Sequence, residues 1–187
     1  MAPQLELPGV KPLPEVERLA AELGETWPNI FSARERAAHE LERLGHGLGD
    51  LVSRNRAFSL VVYGSLARYE FTQGSDLDWT LLVNWEADPE HREAEILIRK
   101  KIEELGFGRP APGGTFAGLT FSHDLVHKIG GEDDTNRNTT QRILLLLESV
   151  PVGDRTSYSS VVRNVLHRYI SEDYLAPGAL PRAPVPA

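Results

Sequence analysis

Val61-Val62-Tyr63-Gly64-Ser65-Leu66-Ala67-Arg68-Tyr69-Glu70-Phe71-Thr72-Gln73-Gly74-Ser75-Asp76-Leu77-Asp78-Trp79-Thr80-Leu81-Leu82-Val83 is the stretch that decides the fold. Phe58 to Tyr63 is apolar and rich in β-branched residues, which predicts a buried strand. Gly64 has no Cβ, so its backbone can approach a ligand closely. Ser65 adds a hydroxyl able to donate to a phosphate oxygen. Leu66 to Phe71 predicts a short helix whose first N–H groups point at an anion. Arg68 has two readings, a phosphate contact or a partner for Glu70 or a more distant carboxylate.

Gln73-Gly74-Ser75 predicts a turn, and a second strand is expected from Asp76. Side chains alternate along a strand, so Asp76 and Asp78 share one face. Two neighbouring carboxylates repel each other. A dication removes that repulsion, and Mg²⁺ prefers oxygen ligands. The expected site is a phosphate-gripping turn beside a carboxylate pair, provided the two strands are neighbours in one sheet.

Gly-Ser, ten intervening residues and Asp-x-Asp in an apolar strand together resemble the nucleotidyltransferase signature of the DNA polymerase β superfamily. The segment GSLARYE is similar to the Gly-Ser-x-Ala-Arg-x-Glu pattern of its small bacterial members. Further on, IGGEDDTNRNTTQRILLLLESVPVGD resembles the segment after the core in bacterial nucleotidyltransferases related to the PII-protein uridylyltransferase. The resemblance implies an α/β fold, a polymerase-β-like sheet flanked by helices, with helical N- and C-terminal additions. It implies transfer of a nucleoside monophosphate from an NTP to a hydroxyl with two Mg²⁺ ions. Gly64, Ser65 and Arg68 would meet the nucleotide, and Asp76 and Asp78 the metals.

The family usually adds a third acidic residue on a later strand. No Asp or Glu occurs from Leu105 through Ser122. Asp124 ranks first because it lies just past the expected strand, and Glu132, Asp133, Asp134 and Glu148 follow. That gap motivates a second reading, a catalytically inactive nucleotide-binding or regulatory interaction module.

The 187 residues suit one domain with helical additions. Hydrophobic residues make up 41%, enough for one core, and no apolar run is long enough to span a bilayer. No secretory signal is visible, and cytoplasm is the default expectation. The absence of cysteine excludes a disulfide framework and a thiolate zinc site. A net charge of −7 disfavours a broad nucleic-acid surface. With the uridylyltransferase-like segment, this makes a protein side chain the first expected acceptor, an antibiotic-type small-molecule hydroxyl the second, and an RNA end the third.

The rest of the chain divides into a flexible lead-in (1–14), N-terminal helices (15–57), the core (58–130), C-terminal helices packing on it (131–175) and a flexible tail (176–187). Glu15 to Leu23 predicts a helix stopped at Gly24. Ser32, with Glu35 in a capping box, predicts the start of the next, interrupted by Gly45, Gly47 and Gly49. Asp88 as N-cap and Pro89 predict a helix through Leu105, its charges a solvated face. Residues 107–118 predict a long loop, with a contact near the site and an ordinary surface loop as equal readings. Thr115 to Phe121 could add a strand. His123 and His127 could pair on zinc, but no third ligand is evident. Arg137 and Arg142 are read as neutralising nearby acids before facing phosphates. Thr139 to Ser149 predicts a buried core helix, and Ser157 to Tyr169 an amphipathic one packed on it.

Overall fold

The computed structural model describes residues 14–53, 57–108, 116 and 118–175. The lead-in 1–13, the tail 176–187 and residues 109–115 and 117 of the Gly- and Pro-rich segment lie outside the described residues.

Helix α1 (Pro14–Leu23) stops at Gly24, which takes φ +66. Helix α2 (Pro28–Val52) starts one turn before Ser32. Proline suits a first turn, where its missing N–H would have had no partner. The expected interruption at the glycines is corrected, since α2 runs through them unbroken. A Cβ at Gly47 would lie 2.8 Å from Leu105 Cδ1. The glycine is there because another element presses on the helix.

Strand β1 (Phe58–Tyr63) is buried along its whole length and leads directly into α3 (Gly64–Ala67). Strand β2 (Trp79–Val83) is equally buried and antiparallel to β1, with Val62 opposite Trp79. Helix α4 (Pro89–Glu104) opens on Asp88, whose side chain accepts from Glu90 N at 2.8 Å. It crosses to β3 (Gly118–Phe121), parallel to β2. Then come α5 (Ser122–Val126), α6 (Asn136–Leu147), β4 (Ser149–Val152) and α7 (Thr156–Leu175). The sheet order is β3-β2-β1-β4.

Strand alternation divides the core between the two faces of this mixed sheet. Leu60, Val62, Trp79 and Leu81 pack with Leu41, Leu44 and Leu48 of α2 and Ile98 of α4. Val61, Tyr63 and Leu82 face Leu125 of α5, Leu145 of α6 and Val161 and Val165 of α7. The architecture is α/β, a four-stranded sheet flanked by helices, as expected.

Further elements differ from the sequence reading, and the short helix expected over Leu66 to Phe71 forms instead as Gly64–Ala67. Ser149–Val152 reads as the close of a helix, yet it is a strand antiparallel to β1, with Tyr63 opposite Ser149. It takes the open edge of the sheet, and its Pro151 is tolerated because edge strands leave backbone groups unpaired. Helix α6 is not apolar all round in its packing. Leu147 is 79% exposed, and the buried side chains are Asn138, Gln141, Arg142 and Leu145. At about 100° per residue, consecutive leucines cannot share one face.

Candidate active site

Two backbone facts bring the glycine turn and the aspartates together. Pairing of β1 with β2 continues one step past the strand end, where Tyr63 N donates to Asp78 O at 3.0 Å. Gly64 then turns with φ +64, a conformation that side chains with a Cβ rarely adopt. A Cβ built on Gly64 would stand 3.2 Å from Asp78 Oδ2. The bare glycine backbone and the carboxylate therefore share one cradle. Beneath it, Tyr63 and Thr80 share a buried hydrogen bond of 3.1 Å, and burial raises the Tyr63 phenol well above its ordinary value.

Asp78 is half-buried and Asp76 is exposed. Strand β2 begins only at Trp79, so both acids precede it in an open-ended segment. Burial, then the charges of Asp76 and Glu148, push the Asp78 carboxyl above its usual range. Glu148 thus completes a group of three negative charges. It caps the end of α6 just before β4, and Tyr63 opposite Ser149 sets it beside Gly64. Strand β3, Gly-Leu-Thr-Phe, contributes no acid.

Arg68 lies just past α3 and pairs with Glu70 at 2.8 Å and with Glu148. Hydrogen bonds that it donates to Glu70, then to Glu148, raise its guanidinium above the usual value. Of its two readings, the acidic partners are the ones made here. Asp124 is held elsewhere, by Lys128 Nζ at 2.7 Å on the next turn. His123 and His127 are exposed, with ring centroids 5.2 Å apart. Arg142 is 2% exposed in its side chain and forks onto Asp134 at 2.8 and 2.6 Å, with Tyr169 and Thr139 as further partners. It neutralises a nearby acid, the reading placed first.

Among the described residues, no three Asp, Glu or His side chains stand close enough to hold a metal ion by themselves. The donor set still suits Mg²⁺, which is usually bound by one or two carboxylates together with water and substrate phosphates. Asp78 supplies a crowded, half-buried oxygen whose repulsion a dication would relieve. Asp76 supplies an exposed one.

A cavity of about 390 Å³ opens at Asp76. Its walls include Arg36, Glu40 and Arg43 of α2, with Phe71 and Phe107. The α2 residues did not stand out as site residues in the sequence, whereas Glu148 was the last of the candidates for the third acid. The spacing of Arg36, Glu40 and Arg43, four and three residues apart on one helical face, was the available signal.

A βαβ unit, a glycine turn and paired acids come together at one end of the mixed sheet. Residues 48–108 match the family model of the nucleotidyltransferase domain. This stretch, from the end of α2 to the cavity wall, is similar to the nucleotidyltransferase domains of the polymerase β-like superfamily. No curated protein and no solved structure matches the chain. No helix among the described residues is long and apolar enough to cross a membrane.

Proposed function

We propose that the protein is a metal-dependent nucleotidyltransferase that moves a nucleoside monophosphate from an NTP to a hydroxyl acceptor. The observation that carries this reading is the cradle itself, with the Gly64 backbone placed a Cβ contact of 3.2 Å from Asp78 Oδ2. A phosphate oxygen can enter where any other residue would place a methylene.

In this reading Gly64 and Ser65 hold the triphosphate, the backbone by close approach and the hydroxyl by donation. Asp76 and Asp78 hold the two Mg²⁺ ions. When bound, these ions neutralise charge on the attacking and leaving oxygens of an in-line displacement at the α-phosphorus. The acceptor oxygen forms the new bond to phosphorus. The bond from that phosphorus to the bridging oxygen breaks, and pyrophosphate leaves. The acceptor's proton passes by way of exposed Asp76 to water. Arg68 exchanges Glu148 for the triphosphate's charge, which leaves Glu148 facing Asp78 as the third acid. Positioning and charge neutralisation do most of the work, since little covalent chemistry falls to the protein.

The segment resembling uridylyltransferase-related proteins forms α6 and β4, and β4 pairs directly with β1. That adjacency supports reading it as part of the same catalytic unit. The cytoplasm, where NTP and Mg²⁺ coexist, is the proposed compartment.

The test is incorporation of label from each α-³²P-labelled NTP into cell lysate. Asp76→Ala and Asp78→Ala are each expected to abolish it, and labelling unchanged in either variant would refute that residue's metal role. A second reading, a catalytically silent nucleotide-binding module, is favoured by the absence of an acid on β3 and by the Arg68–Glu148 pair. Mg²⁺-dependent NTP binding without label transfer to any fraction would select it.

A further inference from the structure

The cavity beside Asp76 is set apart from the glycine turn. Its lining takes in Asp76 but neither Gly64, Ser65, Asp78 nor Glu148. It therefore meets the reacting centre through a single carboxylate. In-line displacement brings the attacking group in opposite the leaving group. With the triphosphate on the turn, the attacking hydroxyl enters from the Asp76 side.

The chemistry of the walls narrows what enters. Arg43 Nη2 pairs with Glu40 at 2.7 Å, and its guanidinium lies over the Phe107 ring at 4.7 Å. Arg43 Nε and Glu40 Oε2 are both buried and make no hydrogen bond among the described residues. Arg36 has no ion pair among them. The lining holds two guanidiniums and two carboxylates, and in the transferase reading Asp76 serves the metals, which leaves Glu40 alone against Arg36 and Arg43. With Asp76 so used, the remaining charge of the lining is positive in a protein whose net charge is −7. The volume, about 390 Å³, is that of a metabolite-sized pocket.

We infer that this cavity is the acceptor subsite, and that the acceptor is a small, anionic, hydroxyl-bearing molecule rather than a protein or an RNA end. Its carboxylate or phosphate group meets Arg36 and Arg43, and its hydroxyl points to Asp76. This rests on the transferase reading above, and it replaces the protein side chain expected first from overall charge. Net charge describes the whole surface, whereas the acceptor meets only this local one.

The experiment uses the full chain with deproteinised, low-molecular-weight cell extract, split by anion exchange into retained and unretained pools. Saturation-transfer NMR of each pool, with protein and Mg²⁺, reads binding without turnover. Signals are expected from retained compounds, weakened about tenfold by Arg36→Ala, whose exposed side chain is not needed for folding. Label from α-³²P NTP is expected in an acid-soluble product made from the same pool. Signals from the unretained pool alone, or from neither, overturn the inference. So do signals that Arg36→Ala leaves unchanged, label in precipitated protein or RNA, or displacement of the bound compounds by added NTP. Arg36-dependent binding with no label in any fraction upholds the anion pocket and refutes the transferase reading instead.

Discussion

Replacing Gly64 with alanine tests the cradle directly, because Gly24 supplies a matched control. The two glycines have φ +64 and +66, so a methyl group strains the backbone equally at both. The left-handed conformation costs a residue with a Cβ about 1–2 kcal/mol. For a chain of this size, each kcal/mol lowers Tm by about 2–4 °C. At Gly24 the new methyl meets nothing within 4 Å, whereas at Gly64 it meets Asp78 Oδ2 at 3.2 Å. Asp78 must then give way by a few tenths of an ångström, and the space for a phosphate oxygen is filled. Both variants should lose similar thermal stability, measured by calorimetry without nucleotide. Gly64→Ala alone should lose about 10–100-fold in NMP transfer, the scale expected when reacting groups are misplaced. It should also lose the rise in Tm that Mg·NTP gives the parent. Wild-type transfer by Gly64→Ala, or an equal fall in transfer by Gly24→Ala, would refute the reasoning.

The identity of the third acid is tested by pairing Glu148→Gln with Asp124→Asn. The first should cut label transfer by at least about tenfold and the second should leave it unchanged, and the reverse order would return the role to Asp124. Asp78→Asn removes a half-buried charge that faces two others, so Tm should rise while transfer is lost. Asp134→Ala leaves the nearly buried Arg142 without its carboxylate, and chemical denaturation should show a loss of about 3–5 kcal/mol. Hydrogen bonds from Arg142 hold the Asp134 carboxyl below its ordinary 3.8. Its stabilisation is therefore fully present above that value and lost as pH falls through the lower folded one. The acid limb of a stability–pH curve should flatten in Asp134→Asn. Gly153→Ala combines φ +87 with a Cβ 2.3 Å from Val52 Cγ2, and should destabilise by about 3 kcal/mol in the same assay.

Much of the candidate site was legible because its information is local. Gly-Ser at a strand end and Asp-x-Asp before the next are fixed-offset patterns, and the β1–β2 pairing brings them together as expected. The Asp88 cap and the Gly24 stop are equally local and appear where read. The glycines of α2 misled because their effect depends on a partner. Gly47 marks where Leu105 presses on the helix, and nothing near it in the chain says so.

The sequence alone determined the glycine turn, the paired aspartates and a strand-helix-strand core, since short-range chemistry and alternation settle these. Only the tertiary structure decided that Ser149–Val152 closes the sheet edge and sets Glu148 beside Gly64, 84 positions earlier in the chain. It also decided that α2 turns Arg36 and Arg43 into the cavity at Asp76. The physical reason is the same in both cases. Strand pairing and helix packing join residues whose sequence separation carries no signal, and the open edge of β1 could accept whichever later segment best satisfied its backbone groups.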